Sequence, residues 1–517
     1  MPELAVSRPD LGVAGKVLAL DDLAAVLGRA KKEGQRVVQC HGVFDLLHIG
    51  HIRHFQEARR HGDLLVVTVT PDRFVNKGTH RPAFPERLRA EAIAALDAVT
   101  YVAINRWSSA EQAIALLKPD VYCKGSEYRT VQGDALAALQ RETAAVESAG
   151  GRIEYTDDIT FSSSQLINNY FSGFPPETEA WLRAFRKDRS ADDVIRHVQA
   201  TSKLRALVIG EAILDEYVFC DGLGKSTKDP ILAFRHQNTE TYLGGSLAVA
   251  NHLAGFCQEV GLLTMLGQTA RNEGIIRKGL RPNVRPYLLT KRGAPTICKR
   301  RFVDTHTGAR MFELYVMDDD PPTVADEAEV QRALTEVLST YDVVIVADYG
   351  HGLLSRPLID RLCKESRFLA VNTQANAGNR GFNTISKYPR ADYVCLAGHE
   401  VALETRMRHA SWRELVLEVG KRIACPAFTV TLGKYGSLHY GDGAFLEVPA
   451  LATQVTDRVG AGDAVLAATS LLVAQGAPWD IVGFIGNVAG AELVAELGNR
   501  TALDQATLTR HVVSLLK

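Results

Sequence analysis

Several features are scarce in this 517-residue chain, and each scarcity excludes a class of protein. There is no surplus of positive charge: 59 Lys+Arg stand against 60 Asp+Glu, a formal charge of −1. Nucleic-acid binders and proteins that sit on anionic membranes carry a basic excess, so neither partner is expected. The eight cysteines are dispersed, the closest pair being Cys395 and Cys425, and no C-x-x-C occurs. That excludes a zinc ribbon and a disulfide scaffold. No apolar run approaches the ~20 residues that span a bilayer; stretches such as 64–69 and 343–347 are of strand length. The opening MPELAVSRPDLGVAG lacks the basic-then-apolar pattern of a secretory signal. Internal repeats and low-complexity segments are missing as well. A soluble, reduced, cytoplasmic protein is expected.

What is present is globular: 46% hydrophobic and 23% charged residues. At about 100–200 residues per domain the length implies two to four domains. In the first third, short β-branched runs (residues 36–40, 64–69, 99–103, 120–123 and 152–155) alternate with helically spaced segments (50–61, 85–96, 110–117 and 134–149). Such alternation predicts βαβ units around a parallel sheet, with ligands at the carboxyl ends of the strands. The pattern breaks at Gly173, Pro175 and Pro176, and the polar stretch that follows reads as a linker with one amphipathic helix at most. A second α/β module opens with the strand 206–209. It continues through a β-rich stretch at 296–316 and strands at 343–347, 368–371, 393–396 and 428–431. The expected division is an N-terminal extension (1–34), a first domain (35–172), a linker (173–203) and a second domain (204–517).

The sequence HGVFDLLHIGH, residues 41–51, closes the first predicted strand and opens the first helix. Gly42 and Gly50 permit close backbone approach to a ligand, and His48 and His51, three apart, share one face of the first turn. A helix start offers unpaired N–H groups and partial positive charge, so two imidazoles there make a phosphate site. A metal cluster of His41, His48, His51, His54 and His61 is the alternative reading of the same residues. This stretch resembles the signature G-x-F-D-x-x-H-x-G-H of the cytidylyltransferase-like nucleotidyltransferases: Gly42, Phe44, Asp45, His48, Gly50 and His51 match at every fixed position. The likeness extends over about residues 35–170. Residues 76–91, with Arg81, resemble the family's basic loop. VYCKGSEY, with Lys124 and Gly125, resembles its Lys-Gly segment, and FSSSQLI, with Ser163 and Ser164, its helix-capping turn. The resemblance implies a Rossmann-like fold and nucleotidyl transfer. A phosphate oxygen attacks the α-phosphorus of ATP, or of CTP, in line, and pyrophosphate leaves. His48 and His51 would hold the developing charge, Lys124 would neutralise the triphosphate, and Mg²⁺ would arrive with the nucleotide. For Ser163 and Ser164 a plain helix cap is the competing role.

Near the other end, in TDRVGAGDAVLAATSLL (456–472), a Gly-Ala-Gly turn runs into an apolar helical segment. It leaves backbone N–H groups free for an anion. Asp463 on the first turn can take a proton from an attacking alcohol, or it can be a carboxylate that merely favours the helix dipole. The module resembles the ribokinase-like (PfkB) sugar kinases over about residues 204–515. Asp457, Gly460, Ala461, Gly462 and Asp463 match D-x-x-G-A-G-D, and Gly244 and Gly245 match the family's sugar-closing di-glycine. Asp215 stands in the place of a sugar-side carboxylate, and VTLGKYGSLHY, with Gly433, resembles a nucleotide-side strand and loop. The resemblance implies a ribokinase-like α/β fold with Asp463 as general base and Gly460, Ala461 and Gly462 as the anion hole. Three positions depart from the family: Ala248 replaces a sugar-contacting Asn, Ala397 replaces the Asn of Asn-x-x-Glu while Glu400 is kept for indirect Mg²⁺ binding, and the opening Gly-Asp reads Gly210-Glu211.

The pairing resembles the bifunctional sugar (heptose-phosphate) kinase/sugar 1-phosphate nucleotidyltransferases of nucleotide-activated sugar synthesis. There the kinase comes first; here the transferase does. The implied protein is a homo-oligomeric enzyme acting on small molecules. Two other readings remain: a nucleotidyltransferase, including a polyol-phosphate cytidylyltransferase, whose kinase-like half has become a sugar-sensing scaffold, and a non-catalytic interaction protein.

Overall fold

The computed structural model describes residues 12–75, 82–126, 128, 134–156 and 174–516. The chain divides into two compact units between Ser172 and Gly173.

The first unit is built on β1 (Val37–Gly42), β2 (Leu64–Val69), β3 (Tyr101–Ile104), β4 (Val121–Gly125) and β5 (Arg152–Thr156). All pair in parallel, in the order β3-β2-β1-β4-β5. Helices Ile49–Arg59, Glu86–Ala94, Glu111–Leu117 and Asp134–Ser148 alternate with these strands, as the periodicity predicts. The order reverses direction at β1, so the crevice for a ligand lies at the carboxyl ends of β1 and β4. The two motifs that follow those strands, residues 41–51 and 124–125, therefore meet there. Residues ahead of β1, expected as an extension, pack onto this sheet instead. Helix Leu20–Lys32 buries Leu20, Leu23, Leu27 and Ala30, and Leu20, Leu23 and Leu27 join Val37, Val66, Ala103 and Leu117 in one cluster.

The second unit carries, in chain order, β6 (Arg205–Gly210), β7 (Ala212–Lys225), β8 (Leu232–Gly245), β9 (Glu259–Thr269), β10 (Val284–Pro295), β11 (Ile297–Asp304), β12 (Arg310–Val316), β13 (Val343–Asp348), β14 (Leu369–Thr373), β15 (Tyr393–Ala397), β16 (Phe428–Thr431), β17 (Ser437–Gly441) and β18 (Ala444–Val448). Nine form a mainly parallel sheet, β10-β9-β6-β13-β14-β15-β16-β17-β18, and four form a smaller sheet, β12-β11-β7-β8. Helices Ala461–Ala474 and Trp479–Val494, apolar nearly all round, lie within the core beside the large sheet, as fully buried helices do. Among the described residues no helix is long and apolar enough to cross a membrane.

Residues 173–203, expected to be a linker, hold two helices. Pro176–Asp188 and Ala191–Ala200 bury Leu182, Phe185, Val194 and Val198 in the second unit's main cluster, and Phe185 stacks on Phe484 at 4.7 Å. The polar composition hid a narrow apolar stripe. A fragment beginning at 174 should therefore melt as one cooperative unit. A fragment beginning at 200 loses four buried side chains at roughly 1.5–3 kcal/mol each and should aggregate or melt far earlier in a circular-dichroism scan. Equal melting of both would mean the helices contribute nothing to this core.

Candidate functional site

Two sites follow from these sheets, one in each unit. In the first, the chain leaves β1 through Phe44, a non-glycine residue with φ +47°, which folds its ring back over Gly42. A Cβ on Gly42 would lie 3.0 Å from that ring, so any larger residue would force the ring to give way. His48 caps helix Ile49–Arg59 in extended conformation. Gly50 lies in the first turn, and the His48 and His51 rings stack at 3.8 Å. Phe44 packs edge-on against His51 at 5.3 Å, which fixes the imidazole orientation. Asp45 is buried and accepts the Ala83 N–H, holding the following loop to the motif. The metal-cluster alternative loses two members. His41 has Nδ1 on Thr68 Oγ1 at 2.9 Å and Nε2 on Thr70 Oγ1 at 3.3 Å, and His54 has Nδ1 on Thr156 Oγ1 at 2.7 Å. Burial, reinforced by Lys124, pushes His41 down to about 3 and His54 down to about 4, so both are neutral.

Lys124, expected to face a triphosphate, ends β4 beside Gly125 but is buried and paired with Glu142 at 2.7 Å. A buried ammonium needs a counter-charge, and helix Asp134–Ser148 supplies it. Burial works against the ammonium, but Tyr122 and Glu142 more than offset it and hold its pKa above the usual range. The charge expected for nucleotide is already balanced inside the protein. Arg89 was not foreseen. Buried among helix residues, it donates to Phe84 O at 2.9 Å, to Val43 O and Thr70 O, and to Asp72 at 2.6 Å, tying the loops around the crevice together. Arg81, Ser163 and Ser164 lie outside the described residues.

In the second unit, a cavity of about 270 Å³ brings together Asp215, Gly245, Lys299, Arg301, Gly460 and Asp463. Gly460, with φ +83°, precedes helix Ala461–Ala474; a Cβ there would fall 1.8 Å from Asn499 Oδ1. The left-handed turn and the crowding both demand glycine. Gly460, Gly462 and Asp463 of this helix start line the cavity. Asp463 accepts the Tyr349 hydroxyl at 2.8 Å. Burial pushes its carboxyl up to about 7, Asp215 adds to the rise, and Tyr349 and Lys299 oppose it. A base poised near neutrality is what proton abstraction from an alcohol requires.

The small sheet supplies the opposite wall. Asp215 on β7 pairs with Arg301 on β11, which also holds Glu313 at 3.0 Å. A Cβ on Gly244 would meet Asp215 Oδ2 at 2.0 Å, so the first glycine of the pair makes room for that carboxylate. Gly245, with φ +57°, turns the chain into the next helix. Lys299 lies beside Asp215 in register, over the rings of Tyr315 and Tyr349 at 5.3 and 5.9 Å; burial pulls its pKa down. Neither cation was anticipated, yet C-K-R-R-F carries the signal: alternate residues of a strand share a face.

Asp457 binds the walls together. Its carboxylate is paired with Arg310 of β12 and accepts Tyr217 Oη of β7 at 2.8 Å, Val459 N at 2.9 Å and Gly498 N at 2.9 Å. Gly433 follows β16 with φ +59° and is not part of the cavity wall. Ala248 is buried and offers no polar atom in place of the family's Asn. Glu400 accepts Ala397 N at 2.7 Å and Ala375 N at 3.0 Å, and burial pushes it up to about 7. Each of its oxygens retains a lone pair, which fits water-mediated contact with Mg²⁺ carried by a nucleotide. Among the described residues no three acids, histidines or cysteines gather as a metal cage.

Each unit matches a family of known proteins. The sequence model of cytidylyltransferase-like proteins matches residues 40–169, and that of pfkB family carbohydrate kinases matches residues 203–506. The bifunctional protein HldE of Rhodopseudomonas palustris is 27% identical over 304 residues, 58% of this chain and 61% of that one. HldE of Pelobacter propionicus is 42% identical over 154 residues, 29% of this chain and 30% of that one. The chain thus spans less than two thirds of the length of the curated relatives it matches. Phosphofructokinase-2 from Escherichia coli, solved with substrates and products, superposes on 61% of this chain and all of its own length with a TM-score of 0.50 at 15% identity. That likeness concerns the fold.

Proposed function

Because the chain belongs to the pfkB family of carbohydrate kinases, we propose that its second unit phosphorylates a sugar or sugar phosphate with ATP. The first unit transfers a nucleotidyl group from ATP or CTP to a sugar 1-phosphate, releasing pyrophosphate. The arrangement that carries this reading is Asp463 at a helix start beside Gly460 and Gly462, facing Asp215 across one cavity. Asp215, steadied by Arg301, orients the acceptor. Asp463 takes the hydroxyl proton as the oxygen attacks the γ-phosphorus, and the N–H groups of the helix start hold the transferring oxygens. Glu400, through water, would help hold magnesium carried by the nucleotide, which would shield the phosphate charge. In the first unit no covalent intermediate is needed: His48 and His51 position the phosphates and stabilise charge at the α-phosphorus.

The acceptor is heptose-like by the resemblance to HldE. The expected setting is a cytoplasmic homo-oligomer. Ala248 and Ala397 favour one other reading, a working transferase beside a kinase-like module that only binds sugar. A panel of sugars, sugar phosphates and polyol phosphates with ATP and CTP, scored separately for ADP and pyrophosphate, decides between them. ADP with at least one acceptor supports the kinase, and pyrophosphate alone supports the second reading.

One substitution probes acceptor binding specifically. In Gly244→Ala the new methyl displaces Asp215 from Arg301. With a charged hydrogen bond worth roughly 1.5–3 kcal/mol, the acceptor KM in ADP formation should rise about tenfold or more while the KM for ATP holds. An unchanged acceptor KM would remove Asp215 from the sugar site.

A further inference from the structure

We propose that Tyr349, held in place by Glu211, is the positioning residue of the proposed base Asp463: its hydroxyl fixes one carboxylate oxygen so that the other faces the acceptor. The inference rests on the kinase reading of this cavity and assigns work to Tyr349 and to Glu211, the residue at which the opening Gly-Asp motif departs.

Tyr349 follows β13 and is 3% exposed. Its Oη donates to Asp463 Oδ1 at 2.8 Å, which leaves Oδ2 as the oxygen without that bond. Its backbone is held on both sides. The N–H donates to Glu211 Oε2 at 3.0 Å, and the carbonyl accepts Asn376 Nδ2 at 2.9 Å and Asn379 Nδ2 at 2.6 Å. Glu211 Oε1 takes the His351 N–H at 3.1 Å, so one carboxylate spans the turn from 349 to 351. At its centre Gly350 has φ +71°, and a Cβ there would fall 2.3 Å from Asn379 Nδ2. The turn can be built only with glycine at 350 and is over-determined by its neighbours.

The arrangement accounts for a departure from the family pattern. Where the opening motif reads Gly-Asp in the family, this chain has Gly210-Glu211. Glu211 sits where the chain crosses from β6 to β7 and reaches both N–H groups of the turn; an aspartate is one methylene shorter. Asn376 and Asn379, after β14, brace the same turn from the other side. The extra length is thus matched to a tyrosine that must hold its ring at a set depth.

A carboxylate that accepts a hydrogen bond is favoured in its charged form. Asp463 is also faced by Asp215 of β7, Lys299 of β11, Cys395 of β15 and Glu400 of the helix Gly398–Thr405. Burial and Asp215 push its pKa up, and Tyr349 and Lys299 push it down. Removing the Tyr349 hydroxyl removes one of the two opposing groups, so the pKa must rise.

The experiment compares Tyr349→Phe and Glu211→Asp with the wild-type chain in two ways. In the first, Asp463 is titrated directly by ¹³C NMR of carboxyl-labelled aspartate, its resonance identified by its loss in Asp463→Asn. This reading needs no turnover. Tyr349→Phe should raise the midpoint by about one pH unit or more, and Glu211→Asp should raise it by less. An unmoved midpoint in Tyr349→Phe overturns the proposal whether or not the chain makes ADP. In the second, the pH profile of ADP formation should shift its acid limb to higher pH by the same amount, with kcat lowered at neutral pH and acceptor KM little changed. A raised acceptor KM with an unshifted limb would make Tyr349 a wall of the sugar site instead, and would also overturn it. If no acceptor yields ADP while the NMR midpoint shifts as stated, the kinase reading fails and the positioning contact stands.

Discussion

Asp463→Asn should nearly abolish ADP formation, by about 10²–10⁴-fold, while pyrophosphate release from a supplied sugar 1-phosphate continues. The amide keeps the size of the carboxylate and still accepts the Tyr349 hydroxyl, so the fold should change little. What it loses is the lone pair that takes the acceptor proton. Burial holds Asp463 at about 7, and only the deprotonated form is a base. Wild-type ADP formation should therefore fall as the pH drops below about 7, and an acid limb set by an ordinary exposed carboxylate would contradict the assignment. The thermal midpoint separates the two roles available to this residue. A variant that keeps its turnover but melts several degrees earlier would mark Asp463 as a helix-dipole carboxylate.

His48→Ala and His51→Ala should each cut pyrophosphate release by about 10²–10³-fold, the usual loss for one preorganised donor at a developing charge, and leave ADP formation intact. The two rings stack at 3.8 Å, so removing either one frees the other to move, and the double variant should cost less than the product of the singles. An effect below about threefold at saturating nucleotide would mean that neither imidazole meets the phosphates. Lys124 behaves differently in this account. With Glu142 at 2.7 Å, Lys124→Ala strands a buried carboxylate, and its first effect should be on the thermal midpoint rather than on the rate.

Much of this architecture was legible from local pattern. Alternating periods predicted the parallel sheet of the first unit, and the helix Ile49–Arg59 begins within one residue of its expected start. Glycines at 42, 244 and 460 were expected to face ligands, and the structure shows that each also makes room for a group of the protein itself: the Phe44 ring, Asp215 Oδ2 and Asn499 Oδ1. These features are local because backbone conformation and strand or helix phase are set by residues a few positions apart.

Residues 173–203 show where local reading stops. Their composition is that of a linker, yet Leu182, Phe185, Val194 and Val198 suffice for a buried stripe once a core exists to receive them. The same holds for charge. Lys124 and Arg301 look alike in sequence, as cations at or near strand ends, but one is neutralised by a helix 18 positions later and the other by a carboxylate 86 positions earlier. By itself the sequence determined the two α/β modules and the glycine turns at their helix starts, and it singled out a candidate base and candidate imidazoles, since each depends on neighbours in the chain. Only the tertiary structure decided which charges remain available to a ligand and how the base is held. Asp463, Tyr349 and the pair Glu211 and Asp215 come from three separate segments, and pKa, hydrogen-bond partner and burial belong to the place where those segments meet.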